Sequence, residues 1–209
     1  MKFYDCATAP SPRRVRIFLA EKGIAVPTVQ VDLRNGEHLQ PEFRKINPEC
    51  TVPALVLDNG VTINDAMAIC HYFEEIRPDP PLIGRSPEER AVTIACNRRI
   101  ERDGLYAVME AFRNSTPGLK DRALPGPDDY AQIPALAERG RQRVSRFFIW
   151  INGELSQREF IAGNAYSLAD ITTQIAVEFA KWAKLPIPET CPDLARWFTA
   201  VSARPSAKA

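Results

Sequence analysis

The sequence predicts an α/β domain followed by an all-α domain. Three observations lead there. β-rich and helical runs alternate through residues 1–77, four prolines fall within residues 78–87, and no convincing strand follows them.

The first run, Phe3-Tyr4-Asp5-Cys6, has the content of a short strand. Ser11-Pro12 then joins a capping residue to a proline at the first helical position. Val15, Phe18 and Leu19 recur at helical spacing until Gly23 supplies the stop. Val29, Val31 and Leu33 alternate with polar residues, as a half-buried strand should, and a short helix is expected over residues 41–45. Residues 54–57 and 61–63 flank Asp58-Asn59-Gly60, whose Asn-Gly pair calls for an antiparallel hairpin. Asn64 or Asp65 caps a helix with Ala68, Ile69, Tyr72, Phe73 and Ile76 on its apolar face. The order is βαβ, a short helix, a hairpin and a closing helix.

Residues 78–86 read as the linker between a domain at 1–77 and an all-helical domain at 87–209. Ser86-Pro87-Glu88-Glu89 opens a long helix that runs past Phe112: a cap, a proline in the first turn, and acids at the positive dipole end. Residues 115–134 carry four prolines and two glycines and read as a loop. Helices resume over residues 135–155, from Ser167 to Trp182, where Ser167 and Asp170 have capping-box spacing, and over residues 193–201.

Composition excludes several functions. A formal net charge of +1 gives no general attraction to nucleic acid or to a membrane surface. The arginines at 98, 99 and 102 and at 139, 141, 143 and 146 alternate with acids or apolar residues, as on solvated helix faces. Five scattered cysteines with no C-x-x-C make neither a disulfide framework nor a zinc site, so no metal is expected. No stretch approaches the ~20 apolar residues of a membrane span, and the N-terminus lacks a secretory apolar run. The expectation is a cytoplasmic protein with reduced thiols.

Arg13-Arg14-Val15-Arg16-Ile17-Phe18-Leu19-Ala20-Glu21-Lys22-Gly23 resembles the first helix of cytosolic glutathione transferases. Gly36-Glu37-His38-Leu39 with Phe43 and Asn47-Pro48, then Val52-Pro53-Ala54-Leu55, and Asp65-Ala66-Met67-Ala68-Ile69 resemble the same family. So does Phe160-Ile161-Ala162-Gly163-Asn164 through Ser167-Leu168-Ala169-Asp170. The matches span nearly the whole chain in order. The resemblance implies a thioredoxin-like N-terminal domain packed on a helical bundle, with glutathione as co-substrate and a homodimeric assembly. It also implies a cis peptide before Pro53, which would leave the Val52 N–H and C=O free to pair with an extended peptide.

Glutathione chemistry then assigns roles. A free thiol has a pKa of about 8.5, so the protein's task is to stabilise the thiolate with hydrogen-bond donors and a helix N-terminus. Ala9 stands where many serine-type members carry their hydroxyl. Ser11 is the leading donor, through its hydroxyl or its backbone N–H, with Thr8 second; Ser11 as a plain helix cap is compatible with either. Asp65 would accept from the γ-glutamyl ammonium or merely cap its helix, and the N–H groups of Ala66 and Met67 would receive the γ-glutamyl carboxylate. Ala66 lacks the usual serine hydroxyl. His38 matches a position that meets the glycyl carboxylate. Tyr106, Met109 and Arg113, at helical spacing with Glu110, would carry the second substrate. That substrate is a small electrophile, or a disulfide or peroxide that glutathione reduces. The alternative is a binding or interaction module that keeps the fold without catalysis, which the absence of hydroxyls at Ala9 and Ala66 motivates.

Overall fold

The computed structural model describes residues 1–209, and the chain divides into two compact units. Unit one comprises Met1–Pro80 with Leu124–Asp129 and Ala209; unit two comprises Pro81–Ala123 and Tyr130–Lys208.

Unit one is a βαβ–α–ββα thioredoxin-like fold, as expected. Its elements are β1 (Lys2–Asp5), α1 (Pro10–Glu21), β2 (Thr28–Gln30), α2 (Pro41–Arg44), β3 (Ala54–Val56), β4 (Thr62–Ile63) and α3 (Ala66–Ile76). The sheet order is β2-β1-β3-β4, with β1 parallel to β2 and antiparallel to β3, and β4 antiparallel to β3. The Asn59-Gly60 turn sits where the hairpin was expected, and Gly60 takes φ +85°, a conformation that glycine adopts at little cost.

Three local expectations give way. The second strand ends at Gln30 and all three of its residues are exposed; Val31, one step past it, is buried instead. The strand lies at the edge of the sheet, so the alternation of Val29, Val31 and Leu33 marks a chain leaving the sheet. The first helix begins at Pro10 with Ala9 as N-cap, so Ser11 is its second helical residue rather than its cap. Proline costs nothing through a helix's first turn, where N–H groups have no intrahelical acceptor, so Pro10 and Pro12 both fit inside it.

On α3 the buried stripe is Ala66, Ile69, Cys70, Phe73 and Glu74, while Ala68 and Ile76 face solvent. Glu74 explains the rotation. Its carboxylate pairs with Lys22 Nζ at 2.7 Å, both side chains being almost wholly buried. The same ammonium donates to the carbonyls of Arg77 and Pro80 at 2.7 Å each. A charged pair with every donor satisfied can occupy an interior stripe that hydropathy alone assigns to apolar residues.

Unit two is helical: α4 (Pro87–Ile100), α5 (Tyr106–Arg113), α6 (Pro134–Leu155), α7 (Leu168–Trp182) and α8 (Pro192–Ser202). A π-helical turn, Glu101–Leu105, joins α4 to α5 in one long rod. The predicted capping box of Ser167 with Asp170 forms, and the Ser86 cap forms a second one with Glu89. Helices α5 and α6 approach backbone to backbone at Gly140, where a Cβ would stand 2.6 Å from Ala111 N. Asp170, fully buried, accepts from the Ile161 and Ser167 N–H groups, the Ser167 hydroxyl and Trp197 Nε1.

Candidate active site

Strand register gathers the predicted residues of unit one at one end of the sheet. Tyr4, next to last in β1, pairs with Ala54 at the start of β3, and Ile63 at the end of β4 pairs with Leu55. Hence the β1–α1 turn, the Val52-Pro53 step and the start of α3 share that end. Parallel β2 also leaves the sheet there and leads to His38, half-buried on a single 3-10 turn, Glu37–Leu39.

The β1–α1 turn closes with a hydrogen bond from Ala9 N–H to the Cys6 carbonyl at 2.9 Å. Ala9 is extended (φ −84°, ψ 136°), as a residue before proline should be, and α1 starts behind it with no side-chain cap. Pro10 and Pro12 have no N–H, so in the first three helical positions Ser11 supplies the only backbone donor. That N–H makes no hydrogen bond within the protein. The Ser11 hydroxyl oxygen accepts from Arg14 Nη2 at 2.9 Å. Thr8, exposed in the turn, lies 3.5 Å from Cys6 Sγ through its hydroxyl.

Three residues that sequence reasoning did not single out hold this turn. Asp5, buried, accepts from Arg16 Nη1 at 2.6 Å and from Gln30 Nε2 at 2.7 Å. Arg16 Nη2 donates to the Ala7 carbonyl, and Gln30 Oε1 accepts from the Ala7 N–H, each at 2.9 Å. Both backbone groups of Ala7 are therefore clamped by side chains that hang from one carboxylate. These pairs link residues 9 to 25 positions apart, which local sequence patterns do not register.

The peptide before Pro53 is cis. Val52 precedes the β3 ladder, half-buried, and its N–H and C=O make no hydrogen bond to the protein. Asn47 organises the loop that presents it. Wholly buried, Asn47 donates from Nδ2 to the Thr51 carbonyl at 2.8 Å and to its hydroxyl at 3.1 Å. Its Oδ1 accepts from Glu49 N–H at 3.0 Å and from Asn64 Nδ2 at 3.3 Å, tying the loop to the residue before Asp65.

Asp65 is the N-cap of α3. Its Oδ1 accepts from Met67 N–H at 2.9 Å and from Ala68 N–H at 2.8 Å, while the side chain stays exposed. The Met67 N–H, expected to meet a ligand carboxylate, is thus engaged by the cap. The Ala66 N–H makes no hydrogen bond within the protein.

The family model "Glutathione S-transferase, N-terminal domain" matches residues 8–76, and "Glutathione S-transferase, C-terminal domain" matches residues 96–205. The chain belongs to the glutathione S-transferase family. It is 36% identical to glutathione S-transferase 2 of Saccharomyces cerevisiae over 211 residues, an alignment covering 100% of this chain and 88% of the yeast protein. Among solved structures it is similar to a glutathione S-transferase domain-containing protein of Marinobacter aquaeolei (TM-score 0.92, 39% identity, 99% of each chain). It is also similar to Gtt2 of Saccharomyces cerevisiae (TM-score 0.91, 36% identity, 100% of this chain and 99% of that one).

In this glutathione S-transferase all five cysteines are free thiols. Cys6, Cys50, Cys70 and Cys191 are buried, and burial pushes the half-buried Cys96 thiol up to about 11. None is an exposed thiol open to mixed-disulfide exchange. In unit two, Tyr106 is exposed and Met109 half-buried. Arg113 donates from Nε to the Ala123 carbonyl at 3.3 Å and from Nη2 to the Arg122 carbonyl. Burial, and then the nearby Arg122, draws its pKa below the usual guanidinium value. Its donors brace the loop after α5. No helix of the chain is long and apolar enough to cross a membrane.

Proposed function

We propose that this transferase binds glutathione on unit one and holds its sulfur as thiolate at the first turn of α1. The thiolate then attacks a small electrophile or reduces a disulfide or peroxide. The observation that carries this reading is the Ser11 donor pair: an N–H with no partner in the protein, and a hydroxyl whose only hydrogen bond is one it accepts. A sulfur set against them would receive two hydrogen bonds at the positive end of a helix of 12 residues. Hydrogen bonds to a charged group contribute about 1.5–3 kcal/mol each. One unit of thiol pKa corresponds to about 1.4 kcal/mol, so two such donors suffice to bring a thiol of about 8.5 to neutrality or below, its proton passing to solvent.

The other parts of glutathione are assigned along unit one. Val52 pairs with the peptide backbone of glutathione. The Asp65 oxygen not used in capping receives the γ-glutamyl ammonium, and the Ala66 N–H meets the γ-glutamyl carboxylate. His38 meets the glycyl carboxylate. On unit two, Tyr106 and Met109 form the surface for the second substrate, with Arg113 bracing the adjoining loop. Family membership supports a cytoplasmic homodimer.

Ser11→Ala tests the reading. The ultraviolet absorbance of bound thiolate, followed against pH, is expected to shift to higher pH while glutathione still binds. An unchanged curve with glutathione bound moves the role to Thr8 or to backbone amides. A parent protein that is not retained on immobilised glutathione, and does not bind it at millimolar concentration, ends the enzyme reading and leaves the non-catalytic module.

A further inference from the structure

We propose that Arg14 positions the Ser11 hydroxyl, fixing the direction in which it donates; this rests on the Ser11 reading above and goes beyond it. Arg14 stands three residues after Ser11 on α1, a spacing that places two side chains on one helix face. It is 4% exposed, so its guanidinium is held by its surroundings rather than free to sample solvent. From there Nη2 donates to Ser11 Oγ at 2.9 Å.

A guanidinium has five donors and no acceptor, so the hydroxyl cannot donate back to it. The Ser11 proton must therefore turn toward a different group. In a helix the usual acceptor for a serine hydroxyl is the carbonyl four residues earlier. Here that carbonyl is Ala7's, which accepts Arg16 Nη2 at 2.9 Å, and Ser11 makes no bond to it. The outcome is a hydroxyl anchored through its oxygen, with its proton available to a ligand.

Two effects follow. A serine held in one rotamer is in the productive orientation up to about threefold more often than one that samples three. Donation from a cation into the oxygen also polarises the O–H bond and strengthens it as a donor. Both act through Ser11 and vanish if Ser11 is removed. That separates a positioning residue from one that acts on the sulfur by its own charge.

The test is a double-mutant cycle on the parent, Ser11→Ala, Arg14→Met and the double variant, with the bound-thiolate pH curve as readout and the unfolding midpoint as control. Arg14→Met is expected to leave about three- to tenfold less thiolate at a pH below the transition. The double variant should match Ser11→Ala alone, and Arg14→Lys, which keeps a donor on a long chain, should recover part of the loss. A shift for Ser11→Ala with none for Arg14→Met overturns the positioning role and leaves the Ser11 reading intact. Additive shifts overturn it too, because they mean Arg14 acts independently of Ser11. An unchanged curve in Ser11→Ala, with glutathione bound, overturns both readings. If Arg14→Met does not fold, the same cycle is run with Arg14→Lys, where a smaller shift that disappears in the Ser11→Ala background is the supporting result.

Discussion

At the scale of single residues, Asp65 caps α3 with one oxygen, and we propose that it binds glutathione with the other. Oδ1 satisfies the Met67 and Ala68 N–H groups at the start of α3, and the side chain is exposed. Substitutions can part these jobs. Asparagine caps helices as well as aspartate but carries no charge. Asp65→Asn should keep the unfolding midpoint near the parent's and weaken glutathione binding about ten- to a hundredfold, the loss of one charged hydrogen bond. Asp65→Ala should add a stability loss of about 1 kcal/mol from the missing cap. Calorimetric titration with glutathione beside thermal unfolding reads both, and equal affinity in Asp65→Asn and parent would remove Asp65 from the ligand. The cap was legible in the sequence because it spans only three residues. The role of Arg14 was not: its spacing from Ser11 is local, but an arginine beside two others reads as solvated surface, and only burial reveals it.

At the scale of elements, α5 and α6 meet at a glycine. An alanine in a helix interior ordinarily stabilises by about 1 kcal/mol relative to glycine. Gly140→Ala should do the opposite and cost about 1–3 kcal/mol, since its Cβ would press on the Ala111 N and Ala107 O atoms, and backbone cannot swing aside. Chemical denaturation measures the sign, and a stabilised variant would mean the helices separate freely there. The existence of the strands and α-helices followed from periodicity and turn chemistry, while the 3-10 turn that carries His38 did not. Element edges and faces did not. Ser11-Pro12 and Ala9-Pro10 compete as helix starts, and residue preferences favour the wrong one because the true cap has no side-chain acceptor. The α3 stripe was misplaced because Glu74 is interior only by virtue of Lys22, a partner 52 residues earlier in the sequence.

For the molecule as a whole, two buried ionisable centres have different consequences. Removing one member of the Lys22–Glu74 pair leaves an unpaired interior charge, so Lys22→Met should destabilise by about 3–5 kcal/mol. Lys22→Met with Glu74→Leu should recover much of that loss, as followed by urea unfolding. Asp170 sets a pH dependence. Burial pushes its carboxyl up to about 6 against the pull of the Ile161, Ser167 and Trp197 donors, from an ordinary value of 3.8. Between those two values the folded state binds more proton than the unfolded one. The Asp170 contribution to stability is therefore greatest below about 4, falls as pH rises, and levels off above about 6. The stability difference between parent and Asp170→Asn should accordingly shrink by on the order of 2 kcal/mol from pH ~4 to pH ~6. A difference independent of pH would show that this carboxyl does not titrate there.

The two prolines that open α1 have a last consequence. Most helix starts offer several adjacent N–H groups, a cradle shaped for the three oxygens of a phosphate or the two of a carboxylate. Pro10 and Pro12 remove the donors on either side of Ser11 and leave one amide and one hydroxyl on a single residue. Two donors on one residue converge on a single acceptor atom, where a phosphate needs several N–H groups for its oxygens. Cellular phosphates, abundant as they are, would make poor competitors for that site.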